Sequence, residues 1–218
     1  PVIIDPTLTL NHSKIIWDGY VRNISSSFTR TATTSVVPIR AGKVNNTLEY
    51  RGEMHWNISS VPDASEIVAL NLSINVKSLV CNSVCIDIFS LNSRNMEKNE
   101  TFYPNNQSGN LDFFNDMGNG SVYDTTDIVE GFTGNINLSM NSQANSDFES
   151  ALEANDFSFG FDASLGYTLE IYGRLSSTAS NRPKLIVTYA NATYNLQYDA
   201  NGNLIQGFNK YMEYDAWN

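Results

Sequence analysis

The sequence predicts an all-β fold: a jelly-roll-like antiparallel β-sandwich with short helical turns and strand-like terminal extensions. Three observations point there. Of 218 residues only 17% are charged while 41% are hydrophobic, and 28 are asparagine. Asn, Ser, Thr and Gly favour turns, and the β-branched and aromatic residues between them favour strands. Several stretches also alternate apolar and polar residues with a period of two, the mark of a strand with one buried and one wet face.

In chain order, residues 1–14 read as an N-terminal strand-like extension. From Leu48 to Ile58 the even positions carry Leu48, Tyr50, Gly52, Met54, Trp56 and Ile58, and the odd ones carry Glu49, Arg51, Glu53, His55 and Asn57. The odd face, with His55, is expected in water. Leu70, Leu72, Ile74 and Val76 repeat the pattern against Asn71, Ser73, Asn75 and Lys77. Further strands are expected at Cys85 to Leu91, Phe157 to Phe161, Tyr167 to Tyr172 and Leu185 to Tyr189, with turn-rich segments between them. Helix is expected to be scarce. Thr126 or Asp127 is placed to cap one short turn through Ile128, Val129 and Phe132, and Phe148 to Ala154 suits another. Asn92 to Gly120 reads as a long polar loop. Beyond Tyr189, Asn201-Gly202 between alternating runs signals a hairpin, with a third strand expected at Tyr211 to Tyr214.

Composition excludes some functions. Thirteen Lys and Arg face 23 Asp and Glu, a net charge of −10, so the basic excess that nucleic-acid binding needs is missing. No apolar run approaches the roughly 20 residues of a membrane helix. Ten asparagines stand in the Asn-x-Ser/Thr acceptor pattern: Asn11, Asn23, Asn45, Asn57, Asn71, Asn99, Asn106, Asn119, Asn137 and Asn191. Chance would supply about half as many, and the excess points to an exported, N-glycosylated chain. The chain opens at Pro1 with no signal-peptide pattern, so the expectation is a removed leader or a segment of a longer protein. In an exported protein, Cys81 and Cys85 most simply close a tight disulfide loop.

Chemistry-bearing motifs are few. His12 and His55 are the histidines and no Gly-x-Ser-x-Gly elbow occurs, so a serine hydrolase with a histidine base has little support. A glycosidase needs two carboxylates, which spacing alone does not exclude. The expectation is a chain that is not an enzyme, needs no cofactor and has no dedicated metal site. Two oxygen-rich stretches, Asp112, Asn115, Asp116 and Asn119, and Asp199-x-Asn201-x-Asn203, leave a structural Ca²⁺ open; the second departs from the calcium-loop pattern in its glycine position. Phe102, Tyr103, Phe113 and Phe114 could form a sugar-stacking platform or fold back on the core.

Two stretches carry resemblances. Arg51-Gly52, Trp56-Asn57-Ile58-Ser59-Ser60-Val61-Pro62, Ala64 and the strand to Val76 resemble the signature of the DNRLRE-type, disaggregatase-related domains. Val122-Tyr123-Asp124-Thr125-Thr126-Asp127-Ile128-Val129 is similar to their middle segment, and Asn181-Arg182-Pro183-Lys184-Leu185-Ile186-Val187-Thr188-Tyr189 to their closing strand. The resemblance spans 15–190 and implies a jelly-roll-like module of secreted and surface proteins, binding or structural in role; no binding residue carries over. Tyr198-Asp199-Ala200-Asn201-Gly202-Asn203-Leu204 resembles the YD repeat of RHS-type surface proteins, and Tyr214-Asp215-Ala216-Trp217-Asn218 opens another. Residues 191–218 therefore read as a YD-repeat-like hairpin tail.

The reading that follows is an extracellular structural subunit. It would self-assemble into a fibre, sheath or tube by lending its terminal strands to a neighbour's sheet edge. A carbohydrate-binding module of a secreted surface protein, with polysaccharide as partner, is the alternative.

Overall fold

The computed structural model describes residues 6–81, 88–96, 107–163, 166–190, 197–198, 204–207 and 210–211. The architecture is an all-β antiparallel sandwich with two short α-helices among the described residues. Sheet A is built on β6 (Glu66–Cys81). One of its edges takes β12 (Lys184–Ala190) and β11 (Tyr167–Ile171) in succession, and the other takes β9 (Gly134–Ser139). Strand β1 (Thr7–Leu10) lies outside β12, pairing Thr7 with Thr188 and Leu10 with Leu185. The first ten residues were expected to need a partner molecule; Thr7–Leu10 instead finishes the chain's own sheet, with Leu10 buried in the core.

Sheet B runs β3 (Ser27–Ala32), β2 (Ile15–Ile24), β5 (Leu48–Asn57), β10 (Asp156–Ala163), β7 (Ile88–Asn95) and β8 (Val122–Val129). Strand β4 (Ile39–Asn45) belongs to both sheets, pairing β11 through Ile39–Ala41 and β5 from Gly42 onward. Gly42 makes the crossing possible: its φ is +132°, and a Cβ there would strike the Tyr167 carbonyl. Between the sheets lie Met54 and Trp56 of β5, Phe157, Phe159 and Phe161 of β10, and Leu70, Leu72, Ile74 and Val76 of β6. The β10 rings contact one another at 5.9 and 5.4 Å between centroids. Burying each such side chain stabilises the fold by roughly 1.5–3 kcal/mol.

Three local expectations are corrected. Residues 122–129, in which a helical turn was expected from Thr126 or Asp127, form strand β8; Tyr123 and Ile128 turn into the core, and β7 zips along the strand from Ile88 to Arg94. The expected loop from Asn92 to Gly120 contains the end of β7 and helix α1 (Gln107–Asn119). Its sequence is poor in helix formers, with Gly109, Asn110, Asn115 and Gly118. Phe113, Phe114 and Met117 sit close enough in spacing to share a face, and they dock on sheet B with Val21, Met96 and Phe28, so packing rather than propensity holds the helix. The second helix, α2 (Ser142–Ala151), starts before Phe148 because Asn141 caps it, its Oδ1 accepting from the Gln143 and Ala144 amides at 3.1 and 3.2 Å.

In the C-terminal tail, β13 (Gln197–Tyr198), β14 (Leu204–Gly207) and β15 (Lys210–Tyr211) form an antiparallel three-stranded sheet. The Asp199-x-Asn201-x-Asn203 stretch and Tyr214 lie outside the described residues.

Candidate functional site

The outer face of sheet B carries the first cluster. Arg30 on β3, Glu53 and His55 on β5, and Ser158 on β10 come together because Glu53 and His55 are two apart on one strand, while Ser158 stands directly across from His55. The Arg30 guanidinium donates to both Glu53 carboxylate oxygens at 2.8 and 2.9 Å. It lies between the rings of Trp17 and Phe113, at 4.5 and 4.1 Å from their centroids. His55 Nε2 is 3.1 Å from Glu53 Oε2, and its Nδ1 is 2.8 Å from Ser158 Oγ. A neutral ring satisfies both contacts by donating from Nε2 to Glu53 and accepting the Ser158 hydroxyl at Nδ1.

Hydroxyl, imidazole and carboxylate in a row are the parts of a nucleophile relay, but their setting is that of a clamp. Glu53 is 0% exposed, His55 1% and Ser158 8%. Glu53 is already neutralised by Arg30, and helix α1 covers the group. Burial pushes the Glu53 carboxyl up, but hydrogen bonds from His55 and Arg30 and the Arg30 charge outweigh it and hold the group at about 2. The expectation that His55 stands in water is therefore overturned: the odd face of β5 is covered at Glu53 and His55, and their polar groups are spent on one another, Arg30 and Ser158. The same docking withdraws Phe113 and Phe114 from any sugar platform, since both are buried against sheet B.

At one end of the sandwich, Asp18 of β2 is buried and ties two loops together. Its Oδ1 accepts from Thr33 Oγ1 at 2.5 Å and its Oδ2 from the Arg174 amide at 2.6 Å; the Arg174 guanidinium lies 3.2 Å from Oδ1. Burial is the strongest influence on this carboxyl and lifts it above its ordinary value; the Thr33 and Arg174 bonds recover only part. Between the loops lies a cavity of about 230 Å³, lined among others by Val37, Pro38, Lys77, Tyr172 and Ser176. A second cavity, of about 350 Å³, adjoins α2. There Asp147 accepts from Asn95 Nδ2 at 2.7 Å and from the Tyr123 hydroxyl at 2.8 Å, and burial followed by this carboxylate drives the Tyr123 phenol well above its ordinary range.

The acceptor asparagines are dispersed. Asn11, Asn45, Asn119 and Asn137 are exposed, while Asn23, Asn57 and Asn71 are half-buried. Asn99, Asn106 and Asn191 lie outside the described residues, as do Cys85, Phe102 and Tyr103. Cys81 closes β6 and is disulfide-bonded. Asp112, Asn115, Asp116 and Asn119 lie on helix α1 rather than in a loop, with Asp116 buried. Among the described residues no three His, Cys, Asp or Glu side chains gather as metal ligands, and no helix is long and apolar enough to cross a membrane. Sequence reading missed Arg30, Ser158 and Asp18. The visible signal was Glu53-x-His55 on a face that a Phe113-Phe114-x-x-Met117 stripe could cover.

No protein family and no curated protein matches the chain. Among solved structures it is similar to the Clostridium thermocellum endo-1,4-beta-D-xylanase 10B, in its CBM22-1–GH10 modules complexed with xylohexaose. The two are 14% identical over 90% of this chain and 30% of that one, with a TM-score of 0.25. So distant a likeness carries no function across.

Proposed function

We propose that the chain is a non-catalytic structural module of an extracellular or cell-surface protein, with a rigid sandwich and a YD-type tail that engages a neighbouring copy. The observation that supports it most is how the polar chemistry is used: Arg30, Glu53, His55 and Ser158 satisfy one another, with Glu53 and His55 buried, while the β6–β9 stretch of sheet A's outer face presents uncharged Asn and Ser. The DNRLRE-type and YD resemblances agree with a surface protein, and among the described acceptor asparagines none is buried.

Because Thr7–Leu10 already pairs with β12, the donated strand in this reading comes from the tail alone. Strands β3, β8 and β9 each lie at an edge among the described residues and are the surfaces it would join. Sedimentation tests this. The full chain is expected to sediment as polymer, and deletion of residues 194–218 to leave a folded monomer; deletion of residues 1–12 unfolds the sandwich instead. A full chain that stays monomeric at high concentration refutes the assembly, and turnover of any glycan or ester that survives purification refutes the non-catalytic reading.

A further inference from the structure

We infer that the cavity beside Asp18 is a binding site for a single carboxylated sugar ring, a uronate. The inference stands on the cavity itself and is independent of whether the chain polymerises.

Its walls are built rather than left over. One is the segment Thr34–Pro38, closed on itself: the Thr34 amide donates to the Val37 carbonyl at 3.1 Å, and Thr34 Oγ1 accepts from the Val36 and Val37 amides at 3.2 and 3.0 Å. The other is Tyr172–Ser176, fixed by the Tyr172 amide on the Asn75 carbonyl at 3.0 Å and by Arg182 Nε on the Ser176 carbonyl at 2.8 Å. Asp18 ties Thr33, just before the first wall, to Arg174 in the second. Gly173 is packed so tightly against Asp18 and Thr33 that a Cβ would come within 2.5 Å of the carboxylate. A pocket fixed in advance spends little of its binding energy on ordering loops.

The lining selects the occupant. A volume of about 230 Å³ is below the usual range of drug-sized sites, from ~300 Å³, so it takes one ring and not a run of them. Tyr172, Val37 and Pro38 give an aromatic and aliphatic wall of the kind that packs on the C–H face of a pyranose, and Ser35 and Ser176 bring hydroxyls. Lys77 brings a cation. Its ammonium is 3.3 Å from Glu170 Oε2, but Arg40 already holds Glu170 at 2.8 and 3.0 Å. Two cations against one carboxylate leave positive charge at this rim of a chain whose net charge is −10. The lining includes an exposed aliphatic side chain, Val36 at 76%, which an occupying ring would cover. A neutral sugar would leave Lys77 unused, and a bare anion would leave the Tyr172 wall unused.

The test is titration of the full chain with sodium galacturonate and sodium glucuronate by calorimetry and amide NMR, with galactose, acetate and the dipeptide acetyl-Gly-Val as comparators. Saturable uronate binding is expected, with amide shifts at residues 34–38 and 172–176 and weakening as salt rises. Lys77→Gln should lower the affinity about tenfold, the scale of one lost charge-assisted contact. Tyr172→Ala should lower it at least as much, while Tyr172→Phe keeps the ring and the binding, and Asn115→Ala, exposed on helix α1 against the other sheet, changes nothing. Uronate binding unaffected by Lys77→Gln, equal binding of galactose, or binding of the dipeptide without the sugars would each overturn the assignment, as would no saturable uronate shift at all.

Discussion

On the outer face of sheet A, Asn71, Ser73 and Asn75 of β6 stand across from Ser139, Asn137 and Asn135 of β9. Their side chains pair with one another in water, Ser139 Oγ donating to Asn71 Oδ1 at 2.9 Å and Ser73 Oγ to Asn135 Oδ1 at 3.0 Å. On the outer face of sheet B the polar positions of β5 hold Arg51, Glu53 and His55 under helix α1, with Glu53 and His55 buried. The two faces follow the same alternation along their strands. They differ in what covers them, and that decides what each polar residue is worth: a solvated Asn–Ser pair is nearly dispensable, whereas a buried charge cannot lose its partner.

The widest gap between the faces should appear on breaking the clamp. Glu53→Ala leaves Arg30 charged and unpaired beneath α1 and is expected to cost about 3–5 kcal/mol in urea unfolding; a loss under 1 kcal/mol would mean that the helix lifts and water enters. Phe113→Ala removes the ring packed on Arg30 and opens a cavity, with a loss of about 3–5 kcal/mol. A selective drop in helical circular dichroism would show α1 leaving on its own.

Acid sharpens the same contrast. Because the folded pKa of Glu53 lies below its ordinary 4.5, its contribution is present above about pH 4.5 and is lost as pH falls through about 2. The loss is on the order of 3 kcal/mol. Glu170, lowered chiefly by Arg40 against the opposing effect of burial, adds to this slope. Asp18, raised by burial, opposes it, since its protonation relieves the folded state. Unfolding free energies measured from pH 6 to pH 2 should fall steeply in the native chain and more gently in Glu53→Gln; parallel curves would remove Glu53 from the account.

Smaller effects fall elsewhere. In the β2–β3 turn Ser25 and Ser26 adopt φ of +47° and +68°, a conformation that suits Asn and Gly better. Ser26→Gly keeps the acceptor pattern at Asn23 and is expected to stabilise by at most about 1 kcal/mol, the left-handed strain relieved less the entropy a glycine adds to the unfolded chain, seen as a slightly higher Tm. On the solvated face, Asn137→Ala should stay within about 0.5 kcal/mol of the native chain; a larger loss would mean that the Asn–Ser ladder contributes more than exposure allows.

The strands were legible wherever a period of two met a buried face: β5, β6, β10, β11 and β12 lie within a few residues of where alternation placed them. Helix α1 was not, because Gly109, Gly118 and its asparagines argue locally for a loop, and only the surface waiting on sheet B turns Phe113, Phe114 and Met117 into a helix. The burial of His55 was hidden for the same reason, since a period fixes which residues share a face and says nothing of the layer above it. Asp18 was invisible as well. Its meaning depends on Thr33 and Arg174, and Arg174 is 156 positions away in the chain.

The pairing of β1 with β12 also governs how the module answers to force. The Tyr189 amide donates to the Pro6 carbonyl at 3.2 Å, so the polypeptide enters and leaves the sandwich side by side at one corner. A pull on those two ends loads the hydrogen bonds between β1 and β12 one after another, as in opening a zipper, rather than all together in shear. Strung in a taut line, such a body would give way at that corner at low tension. Hung from the side of a larger frame, with both leads going to the same anchor, it would feel almost none.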